Sequence, residues 1–114
     1  QRPLKVIPDY VTTLVVRNIP ARYTQEKLLK EWIPDGSFDL MHLPYNTRMR
    51  RHIGFAFLNF TSHEQVLRFQ ERWHGTFLAD HGHCKRLEVG PAPMQGYVEN
   101  MENYIAKGIQ NIGV

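Results

Sequence analysis

This sequence predicts an α+β fold in the order βαββαβ, and three observations carry the prediction. The run Ile53-Gly54-Phe55-Ala56-Phe57-Leu58-Asn59-Phe60 sets aromatic and small or aliphatic residues at alternate positions, the period-two pattern of a strand. Thr12-Thr13-Leu14-Val15-Val16-Arg17 is a second short run, rich in β-branched residues. Two segments between strand-like runs, one with Leu28, Leu29 and Trp32 and one with Val66, Leu67, Phe69 and Trp73, have helical spacing of apolar residues. A four-stranded antiparallel sheet with both helices packed on one face accommodates that order.

Each element has a start and a stop. Gln1–Tyr10 carries Pro3 and Pro8 and reads as an extended lead-in. The first strand ends at Asn18-Ile19-Pro20. Thr24 caps a helix through about Trp32, which stops before Pro34-Asp35-Gly36. Phe38 to Leu43 forms the second strand, closed by Pro44, and Tyr45 to His52 forms a basic loop before the third strand at Ile53–Phe60. Thr61 with Glu64 three residues on reads as a capping box that opens the second helix, and Gly75 is its stop. Phe77–Leu78 suits a small extra strand and Lys85–Val89 the fourth main one. Past the spacer Pro91-Ala92-Pro93, Gln95 to Lys107 reads as an amphipathic helix with Tyr97, Val98, Met101, Tyr104 and Ile105 on one side. The organisation is a lead-in (1–11), one domain (12–90), a linker and C-terminal helix (91–108) and a tail (109–114).

Composition narrows the function classes. At 114 residues, with 42% hydrophobic and 22% charged residues, the chain suits one globular domain rather than a disordered one. The net charge of +3 is too small to identify an anionic partner by itself, so the placement of the cations matters more. Cys84 alone cannot form an internal disulfide. No apolar run is long enough to cross a bilayer, so no membrane role is expected. The start at Gln1 suggests a fragment, with targeting signals outside it; nucleus or cytoplasm is the expected compartment. No nucleophile–base set or carboxylate pair emerges, so the chain is not expected to be an enzyme. His81-Gly82-His83-Cys84 lacks a second pair of ligands nearby, so it reads as a polar loop; no metal or other cofactor is expected.

The chemistry instead points to a binding surface. With Ala56, Leu58 and Phe60 facing the core, Phe55 and Phe57 project together from the other sheet face. Adjacent rings there suit unstacked nucleic-acid bases, at ~1–3 kcal/mol per base; the competing reading covers both rings with other polypeptide. Val15 and Arg17 share that face by alternation. Arg17 suits phosphate or the flat of a base, whereas Val15 cannot stack. Arg48, Arg50 and Arg51 crowd the basic loop without an acid among them, and a guanidinium fork suits phosphate. His42, on the second strand's exposed face, and Arg86, in the fourth, are further contact candidates, with Lys85 weaker.

Two strings sharpen the reading. Gly54 to Phe60 matches the RNP1 pattern of the RNA recognition motif, with Ile53 in place of its leading base and Leu58 in place of Val. Leu14-Val15-Val16-Arg17-Asn18-Ile19 resembles the companion RNP2 string, with Val15 where a ring is usual. Thr12 to Pro20 followed by Tyr23-Thr24-Gln25, then Phe38-Asp39-Leu40, Leu43-Pro44 and Gln95-Gly96, resemble the C-terminal RNA recognition motif of the Mei-two-like family. Tyr45-Asn46-Thr47 and His52 depart from that family's usual loop. The resemblance covers roughly residues 12 to 105. It implies a ferredoxin-like sandwich that binds single-stranded RNA, in proteins regulating meiosis or development. It also implies that Val15 and Ile53 are features of this branch. The C-terminal helix has two possible seats, the sheet face or elsewhere on the domain or a protein partner. The first would mask the rings and turn the domain toward protein binding.

Overall fold

The computed structural model describes residues 3–109. Its elements run β1 (Thr13–Arg17), α1 (Gln25–Glu31), β2 (Phe38–His42), β3 (Tyr45–Asn46), β4 (Arg51–His52), β5 (Phe55–Phe60), α2 (His63–Trp73), β6 (Glu88–Pro91) and α3 (Tyr97–Ala106). β2, β5, β1 and β6 lie side by side in that order as one antiparallel sheet, and β3 pairs with β4 as a separate hairpin.

Alternation along the strands sorts the two faces. Leu14 and Val16 of β1, Ala56, Leu58 and Phe60 of β5, and Val89 of β6 turn to one side. There they meet Leu28 of α1 and Val66 of α2 in a single apolar cluster. Trp32 sits edge-on to Phe69 at 5.4 Å and to Trp73 at 6.2 Å, which seals the far end of both helices. A bulge in β2 between Phe38 and Leu40 keeps Phe38 and Met41 in this core while Leu40 joins a second, smaller cluster with Tyr104. The lead-in also contributes, because Ile7 and Val11 are buried in the main core.

Several local expectations shift. The N-cap of α2 is Ser62, whose hydroxyl accepts the Gln65 N–H, rather than Thr61. Thr61 stays with the sheet: its N–H donates to the Ser37 carbonyl at 2.9 Å, and its hydroxyl donates there too, at 3.2 Å. Leu67 is 44% exposed, since the inward stripe of α2 runs through Val66, Phe69, Gln70 and Trp73 and Leu67 falls on its shoulder. Phe77–Leu78 forms no strand; only backbone bonds of Gly75 and Thr76 with Leu87 bring the chain back. The last main strand therefore begins at Glu88, not Lys85, and α3 begins at Tyr97, not Gln95. The basic loop is a hairpin, β3–β4. The tail beyond residue 109 lies outside the described residues.

Leu58→Ala should cost about 2–5 kcal/mol in urea unfolding, as expected for a cavity in a closed core. Leu67→Ala, which the apolar pattern alone ranks as equivalent, should stay within about 0.5 kcal/mol of the parent.

Candidate nucleic-acid interface

The open part of the sheet face opposite α1 and α2 is built from two rows of side chains. Register places His42, Phe57, Val15 and Gly90 in one row across the four strands, and Phe55, Arg17 and Glu88 in the next. Phe55 and Phe57 are half-buried, and the Arg17 guanidinium lies over the Phe55 ring, 4.7 Å from its centroid. Val15 is only 4% exposed, so it is part of the floor and not a contact surface. Beside it, a Cβ on Gly90 would sit 3.4 Å from Lys5 Cδ and 3.7 Å from Lys5 Nζ. Lys5 thus crosses the sheet edge onto this face. No periodicity in the lead-in signals that position.

α3 lies across the other part of the same face, held by polar groups. The Gln95 carboxamide oxygen accepts the Thr12 and Thr13 N–H groups, each at 2.9 Å, and its amide donates to the Thr13 and Ala92 carbonyls. The Thr13 hydroxyl donates to Asn59 Oδ1 at 2.8 Å and accepts the Gly96 N–H at 2.9 Å. Asn59 in turn donates to Asp39 at 2.9 Å. Asn100 and Tyr104 are the buried residues of α3, while Val98 and Ile105 point outward and are exposed. This corrects the single apolar side expected of the helix. Asn100 sits on the inward side because it meets the Thr13 hydroxyl and the Gly96 carbonyl, while Tyr104 and Met101 pack on Leu40.

His42 is also corrected. Only 9% exposed, it lies under Tyr104 with ring centroids 4.6 Å apart. Burial pushes its pKa below the ordinary histidine value, and the charge of nearby Lys107 pushes the same way. Burial likewise raises the Tyr104 hydroxyl to about 12. Between α3 and the sheet remains a cleft of about 280 Å³, lined by Phe57, His42, Met94, Asn103 and Lys107 among others. The helix therefore covers the β2 side of the sheet and leaves the rings of Phe55 and Phe57 partly open.

The hairpin beside this face carries Arg48, Arg50 and Arg51, all exposed. Its base is locked by His52, whose Nδ1 accepts the Gly54 N–H at 2.8 Å and whose Nε2 lies 2.7 Å from the Pro20 carbonyl. Gly54 has φ +90°, a conformation that lets the chain turn from hairpin to β5. Arg86 precedes β6; its guanidinium donates to the Gly75 carbonyl at 3.1 Å and lies 4.7 Å from the Phe77 centroid. Its carbonyl accepts from the Asn18 side chain at 2.7 Å, which sets Arg86 at the α2–β6 connection beside the end of β1. His81 stacks on Phe77 at 4.3 Å and bonds the Leu78 carbonyl. Among the described residues, no three His, Cys, Asp or Glu side chains gather as metal ligands, and no helix is long and apolar enough to cross a membrane.

Residues 11–104 match the family model described as RNA recognition motif 2. Protein MEI2-like 4 of Oryza sativa subsp. japonica is 32% identical over 69 residues, which cover 59% of this chain and 7% of that protein. Protein MEI2-like 2 of the same plant is 26% identical over 105 residues, 90% of this chain and 12% of the relative. Among solved structures, that of the Rna15 RRM with bound RNA (GU) superposes with a TM-score of 0.63 at 17% identity, covering 84% of this chain and 98% of that one. The shared element is the fold.

Acidification should loosen α3. A released His42 titrates near the ordinary value of 6.5, whereas the docked one titrates lower, so the released state binds more protons between those values. Docking is thus strongest above 6.5 and weakens as pH falls through that window. Exchange protection at Asn100–Tyr104, corrected for the intrinsic pH dependence of amide exchange, should fall between about pH 7.5 and about pH 5.5, and a His42→Gln variant should show less of this dependence.

Proposed function

This chain belongs to the Mei2-type RNA recognition motif family, and on that premise we propose that it binds single-stranded RNA, without catalysis, on the open part of its sheet face. One observation carries the reading: Phe55 and Phe57 stand two residues apart on that face, half exposed, with Arg17 beside them. A cation over an exposed ring contributes ~0.5–1 kcal/mol, and a stacked base ~1–3 kcal/mol. A base therefore displaces the guanidinium from Phe55 and frees Arg17 for phosphate. Val15 supplies no ring, so stacking rests on β5. The cleft of about 280 Å³ beside Phe57 gives a second base a wall of α3 with Asn103 and Lys107 as polar partners. Arg48, Arg50 and Arg51 add phosphate attraction that weakens with salt. The RNA (GU) held by the Rna15 RRM, a protein of the same fold, supports the reading. The chain spans 7% and 12% of the two MEI2-like relatives, which favours a module within a larger RNA-regulatory protein.

A second reading rests on the outward side of α3. Tyr97, Val98 and Ile105 are exposed there, and an apolar helix surface of this kind suits a protein partner. The two readings part on the rings. Phe55→Ala and Phe57→Ala should each weaken binding to a randomised single-stranded RNA pool by about 5- to 150-fold, measured by fluorescence anisotropy at low and high salt. Unchanged affinity in folded variants would remove the sheet face from the interface and leave the protein-binding reading standing.

A further inference from the structure

Beside the ring-bearing rows, a groove opens between the β3–β4 hairpin and the start of α1. It measures about 660 Å³, within the range of small-ligand sites. Thr24 and Gln25 form one bank, and Tyr45, Arg50 and Arg51 the other. Arg22, at the rim, is already engaged by Asp80 at 2.9 Å. Arg50 and Arg51 are exposed and make no ion pair among the described residues. Tyr45 is 60% exposed, a ring presented to solvent at the groove wall.

Two further features make this a built groove. The hairpin is braced at its base by His52 and at its turn by Asn46, whose Oδ1 accepts the Met49 N–H at 3.0 Å. The groove also adjoins the sheet cleft, since His42, Pro44 and Ile109 line both. A strand leaving Phe57 over the His42 side of the sheet would reach it next.

We propose that this groove is a second nucleotide subsite, off the sheet, holding a base against Tyr45 and its flanking phosphate against Arg50 and Arg51. The proposal deepens the RNA reading and rests on it. An acidic peptide would satisfy the two guanidiniums, but it would have no use for the exposed ring or for a path from Phe57. A nucleotide uses all three.

The subsite makes affinity depend on RNA length. Binding of the whole chain to a randomised trinucleotide pool and a randomised heptanucleotide pool separates the possibilities. The expected result is at least tenfold tighter binding of the heptanucleotide. Its amide shifts should reach Thr24, Gln25, Tyr45 and Arg51, where the trinucleotide moves only the sheet-face rows. Tyr45→Ala and Arg50→Gln with Arg51→Gln should each lose most of that gain. The double arginine variant should also flatten the salt slope by about 0.7 for each phosphate it no longer neutralises. All three residues are exposed, and unchanged thermal melting checks that the variants fold. Equal affinity for both lengths, or a gain that survives both variants, overturns the subsite and leaves the sheet-face reading intact. Failure to bind either pool at low salt overturns that reading itself, and the subsite with it.

Discussion

The hydroxyl of Thr13 ties the C-terminal helix to the sheet. It is fully buried on the face opposite the main core, donating to Asn59 and accepting from the Gly96 backbone, while Gln95 closes four main-chain groups beside it. A buried polar group left without a partner costs about 1–3 kcal/mol, so the network is satisfied only when the chain reaches Gly96 in one position. Apolar contact on this side is small by comparison, chiefly Tyr104 on Leu40 with Met101 alongside. Hydrogen bonding, which is directional, therefore decides where α3 lies.

That position shapes the exposed chemistry. α3 buries His42 at the β2 side, walls the cleft beside Phe57, and stops short of the Phe55–Arg17 row. Half of a flat sheet becomes an edge with depth. The hairpin continues the same relief, because His52 fastens it to the turn after β1 and brings Arg50, Arg51 and Tyr45 level with the end of the cleft. A surface of rings alone has little direction. Rings bordered by a helix on one side and guanidiniums on another define a path.

Much of this is legible in the residues alone. The alternation in Gly54–Phe60 separates the core residues Ala56, Leu58 and Phe60 from Phe55 and Phe57, and the structure keeps that division. The order of elements along the chain, the Thr24 cap and the presence of a C-terminal helix are also accessible, since each depends on neighbours within a few residues. Val15 and His42 are not. Both occupy the outer face by pattern; α3, whose anchor Gln95 meets Thr12 and Thr13 more than eighty residues away, covers His42, and Val15 is buried between Phe57 and Gly90 on the neighbouring strands. Arg86 falls outside the sheet because β6 starts two residues after it. Lys5 gives no signal because it belongs to a segment without periodicity.

By itself the sequence determined the sandwich, its core and the pair of rings on β5, because period-two and helical spacing are local properties that burial must respect. Only the tertiary structure decided which part of that face stays open. That choice is made by buried hydrogen bonds between Thr13, Asn59, Gln95 and Asn100. Such bonds depend on three-dimensional proximity, which no spacing along the chain records.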